Sequence, residues 1–216
     1  DINTQVKRIL KVATDYGFDD NLWHNYLTFF LMMSENPFSM TCEKVGASEG
    51  SVNALVENDF RIFKALFDYD FGSIERDLGI NCFSQISNYK AIHKKDLMYN
   101  KNVSEKVRAL SKKLEAAKDE KEFFDAITGF YKDYGVGMFG LNKAFRIDDT
   151  PQGSFTFRAI NNMDTVMLDD LVGYEIQKKK LVDNTEAFVQ GKKANNVLLF
   201  GDSGTGKSTS IKAIVN

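Results

Sequence analysis

The chain has 216 residues, 43% hydrophobic and 27% charged, which excludes a disordered tail and suits a soluble globular protein of one or two domains. Lys plus Arg number 28 and Asp plus Glu 30, a formal charge of −2, so no global basic field draws the chain to nucleic acid or anionic lipid, and nucleic acid is not an expected partner. The longest apolar run, Leu27 to Met33, falls short of the roughly 18 to 20 residues that a bilayer span needs, so no membrane segment is expected.

Cys42 and Cys82 stand alone, without C-x-x-C spacing or a secretory leader, and read as buried thiols in a reducing cytoplasm. The chain starts at Asp1 and stops at Asn216, soon after its most informative motif, so the expectation is part of a longer protein. Pro37 and Pro151 are the only prolines, and most of the first 134 residues follow helical rather than alternating periodicity. Asp19 or Asp20 is the expected cap of a helix carrying Leu22, Trp23, Tyr26, Leu27, Phe29, Phe30 and Met33. Apolar around much of its circumference, that helix should lie deep in a bundle, its aromatic residues serving as core rather than as a ligand box. Val52, Leu55, Val56, Phe60, Phe63, Leu66 and Phe67 predict a second amphipathic helix ending near Tyr69.

Asn102 with Glu105, and Asp119 with Glu122, form two capping-box pairs ahead of two more helices. Between them Lys112, Lys113, Lys118, Glu120 and Lys121 mix charge signs, as on a solvated helical face. His24 and His93 are the only histidines and show no zinc-ligand spacing with the cysteines; His24, inside the aromatic helix, reads as a satisfied core or boundary residue. No catalytic residue is assigned, and these histidines and cysteines predict no metal site.

Gly135, Gly137 and Gly140 spell G-x-G-x-x-G, the dinucleotide fingerprint, but that fingerprint needs a strand before it and a helix after it. Here a helix ending at Tyr134 precedes it and the strand-like Ala144 to Ile147 follows, so a glycine-rich helix exit is the plainer reading, with Gly135 at the C-cap. AFRIDDTPQGSFTFRAI then predicts a β-hairpin turning on Asp148, Asp149, Pro151 and Gly153, which must pack on something to be stable.

A second domain is expected from Thr165. Asp169 to Gly173 reads as a loop, Tyr174 to Val189 as a helix stopped by Gly191, and Asn196 to Phe200 (NVLLF) as a strand buried on both faces of a parallel sheet. Unless that strand pairs with the hairpin or another chain, its apolar edges favour association, and a packing-driven dimer is one expected outcome.

Gly201, Asp202, Ser203, Gly204, Thr205, Gly206, Lys207 and Ser208 match G-x-x-x-x-G-K-[ST] without a substitution. A loop that wraps phosphates turns its N–H groups inward, which demands positive φ and close backbone approach, hence glycines at 201, 204 and 206. Lys207 supplies a cation for the β- and γ-phosphates, Ser208 one ligand of Mg²⁺, and Thr209 a hydroxyl toward the α-phosphate. Ordinary residue frequencies give such a match by chance in about one chain in a hundred of this length.

NVLLFGDSGTGKST, preceded by DLVGYEIQKKKLVDNTEAFVQGKKAN, is similar to the opening of AAA+ ATPases. From about Phe130 onward the chain more closely resembles an uncharacterised bacterial family of predicted AAA+ ATP-binding proteins, catalogued as a domain of unknown function. The resemblance implies ATP and Mg²⁺ as ligands and an adenine pocket lined by the loop that maps onto Leu171, Val172 and Gly173. It also implies an acidic pair, a sensor residue and an arginine, none of which can be assigned here, so this stretch alone is not expected to turn over ATP.

The expected architecture is mainly α: a helical domain over 1–142, a hairpin and linker over 143–164, and over 165–216 the truncated start (helix, strand, phosphate loop, helix) of an α/β P-loop NTPase domain. The leading functional expectation is an AAA+-like ATPase whose helical region recognises a protein partner or builds a homo-oligomer. A P-loop small-molecule kinase and a non-catalytic interaction module with a nucleotide-sensing loop are the alternatives.

Overall fold

The computed structural model describes residues 1–47, 50–92, 99–161 and 165–216. The chain is mainly helical and divides into two compact units, Asp1–Asn162 and Met163–Asn216. Among the described residues no helix is long and apolar enough to cross a membrane.

The first unit carries α1 (Ile2–Tyr16), α2 (Leu22–Met33), α3 (Pro37–Val45), α4 (Ser51–Phe67), α5 (Gly72–Leu78), α6 (Cys82–Ser87), α7 (Lys101–Ala116), α8 (Glu120–Tyr134) and α9 (Gly137–Leu141), then strands β1 (Phe145–Asp149) and β2 (Phe155–Ala159). The aromatic helix α2 is central, touching α1, α4, α6, α7 and α9, with Leu22, Leu27, Leu31 and Met32 buried. Phe30 is exposed, so the burial is not complete around the circumference. The cap of α2 is Asn21, whose Oδ1 accepts from His24 N at 3.1 Å, rather than either expected aspartate. Asp19 is diverted to accept from Ala91 N at 2.8 Å, and Asp20, in the left-handed region at φ 64°, bridges Tyr89. Tyr131 on α8 closes the other end of α2: its buried hydroxyl donates to Leu31 O at 2.9 Å, and burial pushes its ionisation upward.

On α4 the apolar residues divide between two faces. Phe60 and Phe67 are buried with Val56 and Phe63 packed beside them, whereas Leu55, Ile62 and Leu66, about 100° around the helix, are exposed. Leu55 is therefore not a core residue, and the side chain of Val52 lies outside the described residues. Trp23 Nε1 and His24 Nε2 donate to Leu66 O and Phe67 O, each at 2.8 Å, and so cap the last carbonyls of α4 from α2.

The predicted box at Asn102 is displaced. Asn100 caps α7 by accepting from Val103 N, and Asn102 instead donates to Leu141 O at 2.9 Å. Asp119 caps α8 as expected, but Glu122 accepts from Lys118 N rather than completing the box at Asp119 N. Gly135 ends α8 at φ 83°, the short helix α9 spans the rest of the triad, and the expected strand follows as β1 from Phe145. The glycine triad therefore follows a helix, and its spacing serves packing: a Cβ on Gly140 would strike the Gly135 carbonyl group.

The hairpin forms in the register Phe145↔Ala159 to Asp149↔Phe155, with Gly153 at φ 76° in the turn. Phe145 and Phe157 gather on Phe139 of α9, with ring centroids 4.9 and 5.4 Å from it, which supplies the packing an isolated hairpin lacks.

His24 is only half satisfied. Its ring stacks on Phe67 at 3.9 Å, Nε2 is bonded, but Nδ1 is buried without a hydrogen-bond partner, 4.0 Å from Glu115 Oε1. Desolvation lowers its pKa below the ordinary 6.5 and Lys64 adds to this, while the Phe67 carbonyl and the charges of Glu115 and Asp68 oppose it. The unfolded chain then binds the proton more readily, so this contribution to stability is complete above about pH 6.5 and is lost as pH falls below it. Thermal melts between pH 8 and 5 should show a decline that His24→Gln reduces; an identical decline in both proteins would refute the assignment. His93 lies outside the described residues.

The second unit has a 3₁₀ turn (Leu168–Asp170), α10 (Glu175–Val189) and α11 (Lys207–Ala213). NVLLF is not a strand here. Among the described residues, 196–200 join no ladder, and Leu198 and Phe200 are 82% and 87% exposed. Strand geometry depends on hydrogen-bonded neighbours, and the hairpin pairs only with itself. The run is tied at its start, where Asn184 of α10 exchanges two 2.9 Å hydrogen bonds with the backbone of Asn195.

Candidate phosphate-binding loop

The glycines of the 201–208 loop carry the backbone conformations their spacing predicts: φ is 142° at Gly201, 81° at Gly204 and 79° at Gly206. A β-carbon would strain each of these positions. Gly206 has a second reason to lack one, since a Cβ there would lie 3.3 Å from Leu171 Cδ2. That approach brings the Leu171 side chain beside the glycine loop within one unit.

Lys207 opens α11, and its ammonium folds back over the loop. Nζ donates to Gly201 O at 3.0 Å, to Asp202 O at 2.6 Å and to Thr205 Oγ1 at 3.3 Å, so all three N–H donors are engaged. Thr205 Oγ1 in turn donates to Asp202 O at 2.8 Å, bracing the turn across its base. Ser210, one turn into α11, ties back to Gly206 O through its backbone N–H and its hydroxyl, at 2.8 and 2.9 Å. Asp202, Ser203 and Ser208 are exposed, and Thr209 is half-buried on the first turn.

The residues present are of the kind that fit a polyphosphate: the Lys207 ammonium against the loop backbone, glycines that admit an anion close to the backbone, and the exposed Ser208 hydroxyl, a hard oxygen of the kind Mg²⁺ takes as one ligand. Among the described residues no group of three or more His, Cys, Asp or Glu could hold a metal by itself.

The neighbouring loop has a pinning residue that the motif does not reveal. Lys178 of α10 donates from Nζ to Leu171 O at 2.8 Å and pairs with Glu175 at 2.8 Å. Past that anchor Val172 is 94% exposed, Gly173 is at φ 84°, and Tyr174 caps α10 from the left-handed region at φ 58°. A basic residue one turn into the helix was the available signal for Lys178; no residue pattern marks the conformation of Tyr174. A cleft of about 580 Å³ between the 3₁₀ turn, α10 and the end of α11 contains none of residues 201–209.

Residues 141–216 match the profile of a family described as a protein of unknown function (DUF815). No curated protein and no solved structure matches the chain.

Proposed function

We propose that the loop from Gly201 to Ser208 binds the phosphates of ATP together with Mg²⁺, and that the chain is the ATP-binding part of an AAA+-like ATPase working in the reducing cytoplasm. The observation that carries this reading is the unbroken G-x-x-x-x-G-K-S run with its three glycines in positive-φ geometry and the Lys207 ammonium held over the loop. Lys207 neutralises phosphate charge, Ser208 gives one oxygen to Mg²⁺, and Thr209 lies one residue further along α11, within reach of the α-phosphate. Bound ATP supplies a cleavable phosphoanhydride; the chain's own residues bind and orient it. The approach of Leu171 to Gly206 supports a base-proximal role for the segment Leu171, Val172 and Gly173. Calorimetric titration with MgATP tests the reading, with Lys207→Ala as the decisive control.

The exposed NVLLF run supports self-association as the second part of the proposal. Sedimentation velocity should show a mass that rises with protein concentration, and Leu198→Lys should hold the protein monomeric. A monomer at every concentration would remove homo-oligomerisation through this run. The helical first unit then remains available for a protein partner.

A further inference from the structure

Two buried polar side chains of the helical unit are left short of partners. Asn25 of α2 is 4% exposed and Ser111 of α7 is 5% exposed. Asn25 spends Nδ2 on Asp19 O, at 2.7 Å, but among the described residues Asn25 Oδ1 and Ser111 Oγ make no hydrogen bond. Other buried hydroxyls in these helices are satisfied: Thr28 and Thr128 donate to His24 O and Phe124 O, one turn back, at 2.8 and 2.9 Å. Buried polar groups are ordinarily paired, so the two exceptions call for a partner. Neither is sealed in. Among the described residues the enclosed side-chain atom without a partner is His24 Nδ1, whereas Asn25 and Ser111 both line a cavity of about 440 Å³ where α2, α7 and the end of α6 meet. Their free atoms therefore open into that cavity.

The rest of the lining says what would fill it. Arg108, Ser111, Lys112 and Glu115 fall at i, i+3, i+4 and i+7, one stripe of α7, and Asp20 faces them from the start of α2. These charges are scarcely neutralised by one another. Arg108 approaches Asp20 only to 3.8 Å, Glu115 has the His24 ring at 4.0 Å, and Lys112 has no ion pair among the described residues. An anion alone would meet the carboxylates of Asp20 and Glu115, and a cation alone would meet Arg108 and Lys112; a molecule bearing both charges satisfies the set. The volume is that of a small-molecule site, and a lining polar throughout disfavours a nucleobase or an acyl chain. At the buried end Asn25 Oδ1 can only accept, while Ser111 Oγ can donate, a pair that matches the NH₂ and C=O of a carboxamide. We propose that this cavity binds a free amino acid with a carboxamide side chain, its carboxylate on Arg108 and Lys112, its ammonium on Asp20 and Glu115, and its amide on Asn25 and Ser111. The site lies wholly in the helical unit and does not depend on the phosphate loop.

The test is calorimetric titration of the full chain with L-glutamine, L-glutamate and L-leucine, which share the charged head and differ at the end of the side chain. Glutamine should bind at least about tenfold more tightly than either, because only its amide can donate to Asn25 Oδ1 and the loss of one such bond is worth about that factor. Ser111→Ala should weaken glutamine by about tenfold and should not lower the melting temperature, since its hydroxyl has no internal partner to lose and alanine is the better helix former. Arg108→Gln should weaken glutamine by tenfold or more, roughly the worth of a charge-assisted bond, while Lys113→Gln, on the same helix but outside the cavity, should leave it unchanged. Equal affinity for glutamine and leucine, or no saturable heat from glutamine up to the millimolar range, would overturn the site. Unchanged glutamine affinity in Ser111→Ala together with a lower melting temperature would overturn it as well, and would make the hydroxyl a structural group held by cavity water.

Discussion

Lys207→Ala is expected to weaken MgATP binding by on the order of 100-fold, since a charge-assisted bond network of this kind is worth about 3 kcal/mol. The ammonium has three donors, and in the structure Gly201 O, Asp202 O and Thr205 Oγ1 accept all of them. On binding, phosphate oxygens take over part of that set, exchanging neutral acceptors for anionic ones. The alanine variant loses this exchange and also the brace across the loop, so both the enthalpy and the preorganisation of the site fall. Lys207→Arg separates the two: it keeps the charge but cannot place a planar fork where a compact ammonium fitted, and an intermediate loss is expected. Equal affinity in the parent protein and Lys207→Ala would remove the loop from any account of nucleotide binding.

Gly140→Ala is expected to destabilise the helical unit by about 3 kcal/mol, a fall in Tm of about 10 °C. A methyl at this position meets Gly135 O at 2.5 Å and Tyr134 O at 3.0 Å, and these are backbone atoms that no rotamer change can clear. Neighbouring contacts magnify the effect. Lys106, whose ammonium is pulled below its ordinary pKa by burial, donates to Gly140 O at 2.8 Å and sits 4.9 Å over the Tyr134 ring. Asn102 donates to the next carbonyl, Leu141 O. Any shift of α9 that makes room for the methyl breaks these bonds too. Gly129→Ala is the matched control. It lies inside α8 with open space where its Cβ would be, so alanine there should stabilise by about 0.5 to 1 kcal/mol through helix propensity. Differential scanning calorimetry of both variants decides the matter, and a neutral Gly140→Ala would refute the close-packing account.

The helical character of the first unit was legible because periodic apolar residues and side-chain caps are local signals, and Asp119 with α8 is where both agree. The errors came where a competing group claimed the same role. Asn21 displaced Asp19 and Asp20 because those two are committed to residues Ala91 and Tyr89, some seventy positions away, and Asn100 displaced Asn102 because the latter serves Leu141. No local pattern reports such distant partners. The hairpin was legible from Pro151 and Gly153, although Asp148 and Asp149, expected in its turn, are paired residues of β1; NVLLF was not, because an apolar run reveals a tendency to be buried but not whether neighbours are present to bury it. At the candidate site the glycines of the 201–208 loop were readable, since a positive φ is a torsion that their spacing demands. Lys178 and Tyr174 were not, because the first acts through a tertiary hydrogen bond and the second through a torsion its residue type disfavours.

Trp23, which bonds Leu66 O and meets Phe71 edge-on at 5.3 Å, is the only tryptophan of the chain, whereas the 163–216 unit has Tyr174 as its one tyrosine. Emission excited at the red edge of the indole band therefore reports the melting of the helical bundle alone, blind to the other half of the molecule. Far-ultraviolet dichroism senses both halves. Superimposable curves from the two probes would mean that the halves unfold as one cooperative block, and divergent curves that each melts on its own.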